Sequence, residues 1–160
     1  MITASRSGGQ PGDRVVIVGG GAGGLELATR LGDRLGRRID VTLIDRELVH
    51  VWKPKLHEIA AGSMDMADHE VDYLAQAHWH RFRYRIGAMT GLDRERREVH
   101  VAATHDDAGR EVTPQRAFGY DTLVIAVGSQ SNDFGTPGVA AHAMKLETQA
   151  DARRFHACMV

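Results

Sequence analysis

The chain has 160 residues, 42% of them hydrophobic and 26% charged, with a net charge of −1. That balance suits one globular domain able to bury roughly 70% of its unfolded surface, and it implies no polyelectrolyte partner and no nucleic acid. The single cysteine, Cys158, excludes an internal disulfide, and no apolar run approaches the ~18 residues of a membrane-spanning segment.

Residues 1–13 are small and polar, with Gly8, Gly9, Pro11 and Gly12. Lacking a signal peptide's apolar core, they read as a flexible amino-terminal tail. From Arg14 to Asp45 the pattern is a strand (Val15 to Val18), a glycine turn (Gly19 to Gly24), a helix and a second strand. The turn holds G-x-G-x-x-G at Gly19, Gly21 and Gly24, and an acid, Asp45, follows about 20 residues later. Each part has a mechanical task. Gly19 permits the tight turn, Gly21 lets backbone approach a pyrophosphate, and Gly24 lets the helix pack closely. Unpaired N–H groups at the helix start, around Ala22 and Gly23, favour a diphosphate. Asp45 would accept from a ribose 2′-OH and 3′-OH and repel a 2′-phosphate, and Arg46 beside it joins the candidate cofactor-binding set. These residues alone suit NAD and FAD equally, and a glycine-rich turn without a ligand is the structural alternative.

Leu25, Leu27, Ala28, Leu31 and Leu35 make one apolar helix side, and Gly36 is a stop. Ile39 to Asp45 is apolar on both faces apart from Asp40, Thr42 and Asp45, as a parallel sheet requires. A short helix follows, with Pro54 in its first turn, Gly62 at its end, Leu56, Ile59 and Ala60 inward, and Trp52 and Lys53 at its entrance. Glu70 to Ala77 reads as another helix, with Val71, Tyr73, Leu74 and Ala77 as its apolar residues. Phe82 to Ile86 alternates with arginines as a half-buried strand does. Those arginines and Arg94, Arg96 and Arg97 are solvated strand and turn faces. Ala88 to Leu92 and Glu98 to Ala103 form an antiparallel hairpin around Asp93 to Arg97. Thr104 to Arg110 is a turn, and Glu111 to Phe118 a short strand broken at Pro114. Leu123 to Val127 returns to the parallel sheet and ends in Gly128. Ser129 to Gly138 is loop, and Thr148 caps a helix with Ala152, Phe155 and Met159 on one side. The fold class is therefore α/β: a Rossmann-like parallel sheet with a β-α-β start and an antiparallel hairpin (β-meander) insertion.

Four stretches carry a family resemblance: Val15 to Ala28, Trp52 to Gly62, Tyr120 to Gly128 with the Ser131-Asn132-Asp133-Phe134 loop, and Ala152 to His156. The chain resembles the amino-terminal part of flavoproteins with two dinucleotide-binding domains. More narrowly, it is similar to the bacterial type II NADH dehydrogenases, single-chain NADH:quinone oxidoreductases. The resemblance implies FAD at the first fingerprint, with Gly19, Gly21 and Gly24 at the pyrophosphate and Asp45 at the adenosine ribose. It sets Ala88 near adenine and Lys53 and Pro54 near the isoalloxazine. Ala126, Val127 and Gly128 match an Ala-Thr-Gly turn, Val127 replacing the hydroxyl-bearing residue.

The implied mechanism passes hydride from NADH to the flavin and electrons on to quinone, in an enzyme peripheral on the cytoplasmic face of the inner membrane. The family is over twice as long, and no second G-x-G-x-x-G occurs here. The expectation is an incomplete FAD-binding domain over 14–138, with 139–160 a linker and the start of a truncated helix. A truncated or split gene, or a chain cut by choice, would produce it. The other half would come from a second polypeptide, or the chain would act as a homo-oligomer. Alone, it should retain flavin weakly or not at all and leave NADH unoxidised, so no catalytic residue is assigned.

Three other classes compete. Disulfide reductases carry a cysteine pair soon after the ribose acid, where this chain has Lys53 to Gly62 and none. Sulfide:quinone oxidoreductases need cysteines flanking the flavin, whereas Cys158 is single and reads as a core or tail residue. A nucleotide-binding module without redox activity is the third. His50, His57, His69, His78 and His80 show no metal-ligand spacing.

Overall fold

The computed structural model describes residues 12–65 and 69–159. Residues 1–11, most of the expected tail, lie outside the described residues, as do Met66 and Val160.

In chain order the elements are β1 (Asp13–Val18), α1 (Ala22–Leu35), β2 (Ile39–Asp45), β3 (Val49–His50), α2 (Leu56–Ala60), β4 (Val71–Asp72) and α3 (Tyr73–His80). There follow β5 (Arg83–Ile86), β6 (Met89–Asp93), β7 (Glu98–Val101), β8 (Thr104–His105), β9 (Glu111–Thr113), β10 (Arg116–Gly119) and β11 (Thr122–Ile125). The last two are α4 (Val139–His142) and α5 (Gln149–Met159). Four strands pair in parallel in the order β11-β1-β2-β5, and β10-β7-β6 form an antiparallel meander inserted between β5 and β11.

Alternation along the parallel strands feeds two cores. Ile17, Val41, Leu43 and Tyr84 point to one face, where they meet Ala28, Tyr73, Ala77 and Phe82, with Leu25, Leu27 and Leu31 packed alongside. Val16, Val18 and Ile44 point to the other and meet Val99, Val101 and Tyr120. The layers are thus α1 and α3, the parallel sheet, and the meander. That arrangement explains why β2 is apolar on both faces. A third, smaller core joins Leu56, Ile59 and Ala60 to Ala152, binding α2 to α5.

The structure corrects several expectations. The helix expected over 70–77 starts later: Val71–Asp72 pair with Val49–His50, and Asp72 caps α3 by accepting from Ala75 N at 2.8 Å. Tyr73 and Ala77 consequently face the core one helical turn apart, and Leu74 is left 58% exposed. The turn from Thr104 carries its own ladder, β8 pairing with β9, with Asp106 accepting from the backbone N–H groups of Ala108 and Arg110. The expected loop over 129–138 runs on into the short α4, which the sequence pattern does not announce. Cys158 is exposed on α5, so it is not a core residue. Thr148 and Asp151 do cap α5 reciprocally: the Thr148 hydroxyl accepts from Asp151 N at 3.1 Å, and Asp151 Oδ2 accepts from Thr148 N at 3.0 Å.

The seam between α1 and α3 is backbone against backbone. A Cβ added at Gly32 would stand 1.8 Å from the His80 carbonyl oxygen. Gly32→Ala should therefore destabilise the fold by about 1–3 kcal/mol through overpacking, although alanine exceeds glycine by ~1 kcal/mol in an unhindered helix. Urea unfolding of the variant beside the parent chain measures this, and an unchanged or raised midpoint would contradict so close a seam.

Candidate functional site

All four parallel strands end at one edge of the sheet, and the chain segments leaving them are stitched together by backbone. Gly19 N donates to the Ile44 carbonyl at 2.8 Å, Gly87 N to the Asp45 carbonyl at 2.8 Å, and Ala126 N to the Val18 carbonyl at 2.7 Å. This edge gathers Gly19, Asp45, Ala88, Ala126, Val127 and Gly128.

Gly19 has φ 104°, and a Cβ on it would lie 2.3 Å from the Ala126 carbonyl oxygen. Gly24 is buried in the first turn of α1, where a Cβ would lie 1.8 Å from the Gly19 carbonyl oxygen. Gly21 and Gly23 are different: a Cβ on either would meet nothing within 4 Å. The helix start has no side-chain cap and no acid in its first turn, and Gly21, Ala22 and Gly23 are exposed. An uncapped positive helix end behind an open glycine face fits the diphosphate of a dinucleotide.

Asp45 is partly committed. Its Oδ2 accepts from Gly20 N at 2.5 Å and its Oδ1 from Glu47 N at 2.9 Å. Behind it, the Tyr84 hydroxyl meets the carbonyls of Glu47 and Asp45, the latter at 3.1 Å. The Tyr84 ring stacks on Tyr73 at 4.9 Å between centroids. Burial, and next the charge of Asp45, raise the pKa of both tyrosines. Arg46 lies exposed beside Glu47, Nε to Oε1 3.4 Å, and does not join the glycine turn through any contact described. Ala88 is exposed directly after buried Gly87.

Lys53 and Pro54 sit in a 3-10 turn ahead of α2, both exposed. Lys53 Nζ reaches the loop that follows β11, donating to the Ser129 carbonyl at 3.2 Å and to Glu147 Oε2 at 2.8 Å. Glu147 Oε1 accepts from Ser131 N at 2.6 Å and from the Ser131 hydroxyl. Lys145 Nζ holds the Ser131 carbonyl at 3.0 Å. The Lys53 hydrogen bond, followed by those from Ser131, brings the Glu147 carboxyl down to about 2.

Twelve of the thirteen sequence-derived site residues therefore fall into two groups, and Arg46 stands outside both, paired with Glu47. The glycine turn, Asp45, Ala88 and Ala126 to Gly128 share the sheet edge, and Lys53 and Pro54 border the loop after Gly128. Sequence reasoning overlooked Tyr73, Tyr84 and Glu147. The available signal was Gly20, a glycine at a variable position of the motif; nothing local marks Glu147.

The pyridine nucleotide-disulphide oxidoreductase family model matches residues 13–159, and the chain belongs to that family. It is 47% identical over 143 residues to the type II NADH:quinone oxidoreductase of Haemophilus influenzae, an alignment covering 88% of this chain and 32% of that protein. Among solved structures it is similar to NDH2 from Plasmodium falciparum in complex with NADH, at TM-score 0.71 and 21% identity over 92% of this chain and 30% of the other. It is also similar to the sulfide:quinone oxidoreductase of Aquifex aeolicus, at TM-score 0.73 and 23% identity over 92% and 31% of the two chains. These structural likenesses speak for the fold. The chain spans about a third of the length of the curated relatives it matches.

The Glu147 contacts carry a pH signature. Its folded pKa of about 2 lies below the ordinary 4.5. Stabilisation from a depressed carboxyl is complete above the unfolded value and is lost as pH falls from about 4.5 to about 2. Between those limits Glu147→Gln should lose stability less steeply than the parent chain in thermal unfolding at stepped pH. Parallel acid limbs would contradict a stabilising role for the Glu147 contacts with Lys53 and Ser131.

Proposed function

We propose that this chain is the FAD-binding portion of an oxidoreductase that passes electrons from NADH through FAD to a quinone. The observation that carries the reading is the open, uncapped glycine turn set against Asp45 on the carboxyl edge of the sheet. The identity to a type II NADH:quinone oxidoreductase supports it further. Gly19, Gly21, Ala22, Gly23 and Gly24 would border the diphosphate, and Asp45 and Arg46 the adenosine ribose. Ala88 would lie by the adenine, and Ala126, Val127, Gly128, Lys53 and Pro54 toward the flavin ring. FAD, when bound, supplies the two-electron relay between nicotinamide and quinone.

This chain's residues supply orientation and charge. Gly19 and Gly24 let backbone and helix close up behind the ligand, and Lys53 presents a cation held in place by Glu147. The FAD-binding portion spans 14–138, and 139–160 is a linker and the start of a further helix. Contacts to NADH and quinone come from residues beyond these, on the same polypeptide, a second one, or a second copy. The work is done on the cytoplasmic face of the inner membrane, by peripheral attachment. No helix among the described residues is long and apolar enough to cross a membrane.

Titrating the purified chain with FAD and with NAD, by calorimetry and by absorbance near ~450 nm, tests this. FAD is expected to bind weakly and in preference to NAD, with no NADH oxidation by the 160-residue chain alone. Binding of NAD without FAD would replace the reading with a non-redox nucleotide module. A stoichiometrically yellow chain that reduces quinone with NADH would refute the expected dependence on further residues.

A further inference from the structure

Tyr73 is 2% exposed in the first turn of α3, and its hydroxyl donates to the Gly20 carbonyl at 2.6 Å. The Gly20 N–H donates to Asp45 Oδ2 at 2.5 Å, so Gly20 is held at both ends. A trans peptide unit is planar, and its C=O and N–H point in opposite directions. Pinning the Gly20 carbonyl inward on a buried hydroxyl therefore turns the Gly21 N–H away from the core. Gly21 itself is exposed, and a Cβ on it would meet nothing within 4 Å. We propose that Tyr73 is a positioning residue for diphosphate binding, its hydroxyl orienting the Gly20–Gly21 peptide so that the Gly21 N–H is aimed at the anion. The inference rests on the flavin reading above.

Three further observations support it. The Tyr73 ring has little freedom, being stacked on Tyr84 with 16° between planes, and Tyr84 is itself tied to the backbone at the end of β2. Burial, chiefly, raises the Tyr73 pKa, so the hydroxyl keeps the proton it donates. Finally, a Cβ on Gly20 would stand 2.4 Å from the Tyr73 hydroxyl oxygen. Glycine at this variable motif position is thus explained by the tyrosine behind it and not by the ligand in front. Besides Tyr73 and Asp45, His50 also faces Gly20 and interacts with its backbone, its ring 6.3 Å from that of Tyr73. Burial lowers its pKa, against the Gly20 backbone and the charge of Asp45, which raise it.

Tyr73→Phe keeps the ring stack and removes the hydroxyl. In NMR titrations of the 160-residue chain, the variant should bind ADP roughly three- to tenfold more weakly, the scale of one hydrogen bond, and adenosine with little change. Without nucleotide, the Gly21 amide order parameter should fall while those of Ala28 and Leu31, inside α1, hold. Equal losses for ADP and adenosine would reveal general loosening and overturn the inference, as would unchanged ADP affinity. If the parent chain binds neither ligand, the flavin reading falls. In that case a Gly21 amide as rigid in Y73F as in the parent overturns the positioning role too, and a loosened one upholds it.

Discussion

Segments from β1, β2, β11 and the start of α1 converge on the backbone of Gly19. Its N–H is taken by β2, its carbonyl packs under Gly24, and the position of its missing side chain is filled by the Ala126 carbonyl. The Ala126 carbonyl leaves no room for a Cβ on Gly19, the Gly19 carbonyl none for one on Gly24, and the positive φ of Gly19 disfavours a side chain independently. The close approach brings the helix start, the acid ending β2 and the turn after β11 to one edge. The site's chemistry therefore follows from a steric constraint among main-chain atoms, and its side chains refine a geometry already set.

The same constraint explains what was legible in the sequence. The bounds of β2 and the inward face of α2 follow from apolar periodicity, because Leu56, Ile59 and Ala60 bury as one helical side. The meander was legible because turn residues and alternation recur within a few residues of one another. Long-range polar contacts were not. Tyr73 reaches Gly20 across 53 positions and Lys53 reaches Glu147 across 94, and no local pattern records either pairing. Two-residue ladders such as β3 with β4 are too short to show a period, so apolar pattern alone sets the start of α3 too early. Leu74 shows the limit of hydrophobicity as a guide: it is apolar in type yet faces solvent, because capping by Asp72 sets the helix phase.

On the proposed reading, Asp45 would serve both the fold and the ligand. A carboxylate offers about four acceptor positions. Two are used by the Gly20 and Glu47 N–H groups, which fix its plane against the turn and the end of β2. The capacity left over can accept the two donors of a vicinal ribose diol, but it offers nothing to a phosphate that only accepts. On the proposed reading, discrimination against a 2′-phosphate would have two sources, like-charge repulsion and the absence of any donor on Asp45. Removing the acid would do more than delete a sugar contact, since it would also free the Gly20 N–H. Turn geometry and sugar recognition are therefore coupled through one carboxylate, and substitutions at Asp45 cannot separate them. The Tyr73 hydroxyl, which touches the same glycine through its carbonyl and not its N–H, is where the two roles can be separated.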